Sequence, residues 1–326
     1  MAKKKHRERG WPPVPASADE LVCDENGRAL QIFDDHTHLA SAVRFVQQLS
    51  AESVQKGRDP IPVIPVEEII RRARSVGVEG LIDCACEYPE LTRAVNMAKT
   101  YENVYAAVAI HPNEAVKHGH RAAAGPDGLE IEYFPWHDIS IDDAMARVYE
   151  IAKNNPDEVV AIGETGLDYF RTGEEARQAQ KEAFRAHIAL ACELNLPLQI
   201  HDRDAHEDVI DILLHDKAPE RTVFHSFAAG AEMGRILREN GWYASISGTV
   251  SYKNNEDIRQ GVREIGPDLI TIETDAPYLP PMPWRGRPNA PYLLPHTLKA
   301  VAETLNLTVR ETAEKTRENV RKIYGV

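Results

Sequence analysis

Eight short runs of β-favouring residues recur along this chain, separated by stretches of helical periodicity, and that alternation leaves few folds open. The runs span residues 30–34, 80–84, 104–110, 159–163, 198–200, 222–224, 242–246 and 269–273. Several are apolar almost throughout, as strands covered on both faces of a parallel sheet must be. Between them, Ala176, Ala179, Ala183, Phe184, Ile188, Ala191 and Cys192 share one face of a stretch over 174–195, closed by Asn195 and Pro197. Residues 66–76 and 231–240 read the same way, and a last helix opens on a capping box, Thr308-Val-Arg-Glu311. Eight β-α repeats predict an α/β fold, a single-domain TIM-type (β/α)8 barrel with its chemistry at the C-terminal ends of the strands. A length of 326 residues and a hydrophobic content of 43% suit a core of that size.

The barrel is expected over residues 29–326, after an N-terminal tail, residues 1–28, expected to be disordered. The tail opens on a basic run without an apolar core, so it does not read as a secretory signal. No apolar run approaches the roughly 18 residues of a membrane helix. Two inserted loops are longer than ordinary connections. Residues 41–65 are expected to hold a short helix and then a Pro-rich segment, and residues 115–140 are polar and rich in Gly and His. Such loops either shape access to a site or decorate the surface. Four cysteines, Cys23, Cys84, Cys86 and Cys192, are too few and too irregular for a disulfide framework. Cys84 and Cys86, one residue apart, could suggest a metal clip, but no second cysteine pair completes a tetrahedral site, so the four read as packed free thiols in a reducing compartment, with the cytoplasm as the expected location.

The strand ends carry the chemistry. His36 and His38 close the first run, one residue apart, so a strand turns both imidazoles to one face, beside the carboxylate of Asp34. Glu164 follows the fourth run, His201 the fifth, His225 the sixth and Asp275 the eighth. A barrel would gather these six at one rim. Six ligand-type side chains exceed one tetrahedral ion with an open position and suit two cations sharing a carboxylate. Two cations roughly 3.5–4 Å apart can hold a hydroxide and stabilise both the attacking and leaving oxygens of a displacement. No Gly-x-Ser-x-Gly elbow, Walker motif or Gly-x-Gly-x-x-Gly competes with this reading. Other histidines read as structural: His118 and His120 repeat the one-apart spacing in a polar loop, and His187 lies within a helix.

Charge argues the other way. The net charge is −13, and the first ten residues hold five basic side chains against Glu8, leaving −17 on the other 316. Such a body repels nucleic acid at long range, so a polyanionic substrate would need local capture by cations and a few basic groups.

The residues resemble the TatD family of metal-dependent deoxyribonucleases, within the metallo-dependent hydrolases. The likeness runs through Asp34-Asp-His-Thr-His-Leu39, Ala109-Ile-His-Pro112, Ala161-Ile-Gly-Glu-Thr-Gly-Leu-Asp-Tyr169, Leu196-Pro-Leu-Gln-Ile-His-Asp-Arg-Asp-Ala205, Phe224-His-Ser-Phe227, Ser245-Ile-Ser-Gly248, Glu273-Thr-Asp-Ala-Pro-Tyr-Leu279 and Arg285-Gly-Arg-Pro-Asn289. It covers residues 30–326 apart from the two inserted loops. The resemblance implies one metal held by His36, His38, Glu164 and Asp275, and a second by Glu164, His201 and His225, with Glu164 bridging. It places His111 either at the leaving group or scissile phosphate or in a structural role. Arg203, two residues after His201, can face the same rim and bind a phosphate, and Lys253, Arg285 and Arg287 are phosphate-binding candidates or solvated surface charges. Asp275 is either general base and ligand or ligand alone, and Glu273 lies one layer deeper as an orienting group. Ala290 stands where the family commonly has an acidic residue.

The function implied is metal-dependent hydrolysis of a phosphodiester, as a 3′-5′ exodeoxyribonuclease acting on single-stranded DNA ends, with no membrane and no obligate protein partner. Two alternatives use the same residues: hydrolysis of another bond (an aminoacyl-tRNA ester, amide or lactone), or a non-catalytic metal-binding scaffold. Four imidazoles among six ligands suit zinc, manganese or iron, whereas the family's nucleases are described with magnesium. Two divalent ions are therefore expected, magnesium or manganese for activity, with zinc also accommodated.

Overall fold

A computed structural model of the chain describes residues 9–16 and 20–326. Eight parallel strands form one sheet in sequence order: β1 (Ile32–Thr37), β2 (Val78–Ala85), β3 (Val104–Val108), β4 (Val159–Asp168), β5 (Leu198–Arg203), β6 (Thr222–Phe224), β7 (Tyr243–Ile246) and β8 (Ile270–Ile272). Each expected run is thus a strand. Beyond β8, the Asp275 N–H donates to the His36 carbonyl at 2.9 Å and the His38 N–H to the Ala276 carbonyl at 3.0 Å, drawing the last strand's exit against the first. The architecture is a TIM-barrel-like α/β fold.

The helices follow from the apolar spacing in the sequence. They are α1 (Leu39–Gln55), α2 (Val66–Ser75), α3 (Tyr88–Thr100), α4 (Pro112–Ala115), α5 (Ile141–Asn154), α6 (Arg177–Leu194), α7 (His206–Asp216), α8 (Ala231–Asn240), α9 (Glu256–Ile265), α10 (Leu294–Leu305) and α11 (Val309–Tyr324). The stretch over 174–195 opens as a short 3-10 turn before α6 and stops at Asn195, whose φ of 52° and ψ of 41° are left-handed. The capping box before α11 forms in both directions: Thr308 Oγ1 accepts from the Glu311 N–H, and Glu311 accepts from the Thr308 N–H.

The first inserted loop holds more helix than its sequence suggested. α1 runs 17 residues because Leu39, Ala42, Val46 and Ser53 fall on one buried face, a pattern hidden among Gln and Ser. The second is tied to the segment after β4 by the Asp127 N–H on the Phe170 carbonyl and the Gly173 N–H on the Ala123 carbonyl. In the segment expected to be a tail, residues 1–8 and 17–19 lie outside the described residues. Trp11 and Val22 pack on the barrel core, and the Tyr292 hydroxyl donates to the Pro12 carbonyl, so order extends further toward the N-terminus than residue 29. Among the described residues, no helix is long and apolar enough to cross a membrane.

Candidate metal centre

Glu164 is the hub. It lies within β4, 4% exposed, and its strand approaches β5 closely enough that a Cβ on Gly163 would stand 2.5 Å from the Gln199 Cβ. At Gly166 a Cβ would meet the His201 carbonyl oxygen at 2.1 Å, and φ is +141°, so only glycine fits there. These two glycines let Glu164 and His201 come together across adjacent strands.

Around the Glu164 carboxylate converge His36 Nε2 at 3.7 Å, His38 Nε2 at 3.5 Å, His201 Nδ1 at 3.0 Å and His225 Nε2 at 2.8 Å. Asp275 Oδ1 stands 3.3 Å from His38 Nε2. The structure therefore brings all six ligand-type residues together. Their donor atoms form overlapping groups, including His36, His38 and Asp275 and also His36, Glu164 and His225, with members within 4.8 Å of one another.

The outer nitrogen of each ring decides what the inner one can do. Gln199 donates through Nε2 to the Asp35 carbonyl and to the Tyr324 hydroxyl, so its Oε1 faces His36 Nδ1 at 3.1 Å and takes that N–H. His38 Nδ1 faces the Cys84 carbonyl at 3.1 Å, His201 Nε2 faces Asp168 Oδ2 at 3.2 Å, and His225 Nδ1 faces Glu273 Oε1 at 3.4 Å. His36, His38 and His201 have an acceptor within reach of the outer nitrogen, while His225 Nδ1 faces Glu273 without a formed hydrogen bond; in its neutral form each ring can turn a lone pair toward Glu164. His36 Nε2 is buried without a hydrogen-bond partner. Four lone pairs and two carboxylates pointing at one another form a cation site by the chemistry of the donor set.

The carboxylates draw positive charge onto the rings: burial would depress His225 and His201, yet Glu164 and Glu273 hold His225 well above the usual imidazole range, and Asp168 and Glu164 raise His201. Burial opposes ionisation of Glu164, yet the imidazoles of His225, His111 and His201 hold it well below the usual carboxylate range. Burial, aided by His225, pushes His36 down to about 4. Burial would also depress His38, but Asp275 and Glu164 carry it up to about 9. Burial opposes the ionised form of Asp168 too, while His201, Asn113 and the Arg171 N–H keep it below the usual carboxylate range.

His111 differs from the four. It caps α4, and its Nδ1 accepts from the Asn113 N–H at 3.1 Å. The neutral ring then carries its proton on Nε2, 3.9 Å from Glu164 Oε2, so it offers the site a donor rather than a lone pair.

Asp34, expected beside the two histidines, is turned away from them. It accepts from the Thr274 N–H at 2.8 Å and hydroxyl at 2.6 Å, and so fastens the turn that carries Asp275 at φ +51°. A register shift within β1 between Asp34 and Thr37 separates its direction from that of the histidines. Asn289 fastens the same turn through the Thr274 carbonyl. Glu273 is fully buried beneath His225, as its place one layer deeper implied.

Arg203 is exposed at the end of β5, its guanidinium 4.2 Å over the Phe170 ring. Lys253 is exposed in the loop after β7, and Arg285 lies 4.7 Å over the Tyr252 ring one residue before it. Arg287 instead donates to the Gly10 and Trp11 carbonyls, so it anchors the N-terminal segment. His187 bonds the Ala183 carbonyl at 2.8 Å and accepts the Ile110 N–H at 3.1 Å, a structural role inside α6.

Sequence reasoning passed over Gln199 and Asp168 and set the two thiols aside as packed side chains. Asp168 could have been found: residues 164, 166 and 168 share one strand face once β4 is allowed to run past Gly163. Cys86 Sγ lies 3.2 Å from Glu164 Oε1 and Cys84 Sγ 3.3 Å from His36 Nδ1, a proximity no spacing rule announces.

A family model described as TatD related DNase matches residues 33–325. The metal-dependent hydrolase YabD of Bacillus subtilis is 35% identical over 296 residues, 90% of this chain and 99% of its own length. The 3′-5′ ssDNA/RNA exonuclease TatD of Klebsiella pneumoniae is 30% identical over 268 residues, covering 80% and 92% respectively. Among solved structures, the TatD homolog YjjV of Escherichia coli superposes with a TM-score of 0.72 at 22% identity, over 90% of this chain and 98% of that one.

Proposed function

This chain belongs to the TatD-related family of metal-dependent hydrolases, and from that premise we propose that it is a 3′-5′ exonuclease acting on single-stranded DNA ends. The observation that supports this reading most is the convergence of four imidazoles on Glu164, with Asp275 against one of them, His38. That donor set accommodates two divalent cations: His36, His38, Glu164 and Asp275 would hold one, and Glu164, His201 and His225 the other. When bound, such a pair supplies Lewis acidity to phosphoryl oxygens and makes water acidic enough to attack near neutral pH. Magnesium or manganese would support turnover, and the imidazoles also suit zinc.

The chain's own residues account for the rest. Asp275, held out from β8 by Asp34 and Asn289, takes the proton of the attacking water. His111 presents Nε2–H toward the centre and neutralises charge building on the scissile phosphate or leaving oxygen. Arg203 offers a guanidinium at the same rim for a flanking phosphate, with Lys253 and Arg285 further out, which gives an acidic body the local cations it needs. Free cysteines fit a reducing compartment such as the cytoplasm.

Digestion of a defined single-stranded DNA by metal-stripped protein, resupplied with magnesium, manganese or zinc, tests the reading. The expected result is a ladder shortening from the 3′ end that Asp275→Ala abolishes. No cleavage with any ion would overturn the nuclease assignment and move the search to carboxylic esters and amides.

A further inference from the structure

Cys86 follows β2 directly, and its thiol stands inside the ring of side chains around Glu164. Sγ is 3.2 Å from Glu164 Oε1, the carboxylate oxygen that His36 Nε2 and His38 Nε2 approach at 3.7 and 3.5 Å. With His38 and Glu164 it forms a group whose potential ligand atoms lie within 4.8 Å of one another. Cys84, two residues earlier, is an internal contrast. Its Sγ contacts His36 Nδ1 and Gln199 Oε1, on the outer side of the imidazole, whereas Cys86 Sγ reaches Glu164 as well as His38 Nδ1 at 3.9 Å. The two thiols share a neighbourhood, but only one touches the hub.

We propose that Cys86 is a further ligand of the cation held by His36, His38, Glu164 and Asp275, and that it biases this position toward thiophilic divalent ions such as zinc over magnesium. The inference rests on the metal-dependent reading above. Hard magnesium prefers oxygen ligands and dehydrates reluctantly, whereas thiolate sulfur selects zinc and its softer neighbours. Ligation breaks the S–H bond, forms a sulfur–metal bond and releases one proton to solvent. The hydrogen bond that the thiol donates to Glu164 is replaced by the shared cation, so the carboxylate keeps a positive neighbour throughout.

Cobalt(II) is the probe, because a thiolate ligand gives it an intense sulfur-to-metal charge-transfer band in the near ultraviolet. Titrating metal-stripped wild type and Cys84→Ser should produce that band, and Cys86→Ser should lose it while keeping the visible ligand-field bands. Cys86→Ser should also release one proton fewer on loading and bind zinc roughly tenfold or more weakly, with magnesium affinity little changed. Cys86→Ala serves the same comparison if the serine variant does not fold. Wild type that binds cobalt with ligand-field bands alone overturns the assignment and leaves the metal-dependent hydrolase standing. A charge-transfer band removed by Cys84→Ser and kept in Cys86→Ser overturns it as well. A protein that binds no cobalt overturns both.

Discussion

The pairs His36–His38 and His118–His120 have the same one-residue spacing, but the first lies on a strand and its exit while the second lies on a turn. Along β1 the pleat sends both rings to Glu164, with centroids 5.0 Å apart. In the inserted loop, Gly119 takes φ +69° and the rings diverge. His118 is buried and bonds the Ile139 carbonyl, and His120 is exposed beside Asp138. Spacing alone therefore carries no chemistry. It acquires meaning only when the backbone period matches it and other strands supply acceptors behind each ring.

The largest effect should come from the hub that makes the first pair functional. Glu164→Ala removes the carboxylate that four imidazoles face, and we expect activity to fall on the order of a thousandfold or more, with bound metal lost. His38→Ala should cost less, because His36 and Asp275 remain, but still roughly a hundredfold. Elemental analysis and single-turnover assays measure both, and far-ultraviolet circular dichroism should stay unchanged. Wild-type rates in either variant would break the distinction between the two pairs.

A third histidine environment sharpens it. His187 is fully buried in α6, and burial pushes it down to about 4 from the ordinary 6.5. Its Nε2 accepts the Ile110 N–H, just before His111, so it folds as the neutral ring. Between those two values the unfolded chain binds a proton that the folded chain does not. Its contribution is therefore fully present above about pH 6.5 and is lost as the pH falls toward 4, to an extent on the order of 3 kcal/mol. Urea denaturation at pH 7 and pH 4.5 should show that loss in wild type and a smaller one in His187→Gln, which can keep both hydrogen bonds without titrating. Equal pH dependence in the two proteins would show that the ring is not held neutral.

How much of this was legible follows from which signals are local. The barrel could be read because each strand and helix declares itself over a few residues, as in 222–224 and 231–240, where expected and observed limits coincide. The six rim residues could be read because they stand at the ends of five apolar runs. Asp168 was hidden only because the fourth run reads as ending at Gly163, whereas Gln199 could not be singled out, since its role depends on which ring nitrogen a neighbour leaves outward, a fact of three-dimensional register. Asp34 misled for the same reason: a shift within β1 turns it to Thr274, although plain alternation puts it beside the histidines. Cys86 reaches Glu164 from two strands away, across β3, so its one-residue spacing from Cys84 could suggest a clip but not this partner.

The smallest expected effects belong to the second pair. His118 is 1% exposed and gives its Nδ1–H to the Ile139 carbonyl at 2.8 Å, so His118→Ala leaves that partly buried oxygen without this donor and opens space beneath the inserted loop. A loss of about 1–3 kcal/mol in stability should follow, with metal content and turnover unchanged. His120 is exposed and its ion pair with Asp138 is open to solvent, so His120→Ala should stay within about 0.5 kcal/mol of wild type. Denaturation midpoints read alongside metal content separate the two kinds of loss. If His118→Ala released metal, the inserted loop would be part of the centre's support, and the contrast between strand and turn would have to be redrawn around Glu114, whose carboxylate joins His137 to the same segment that carries His111.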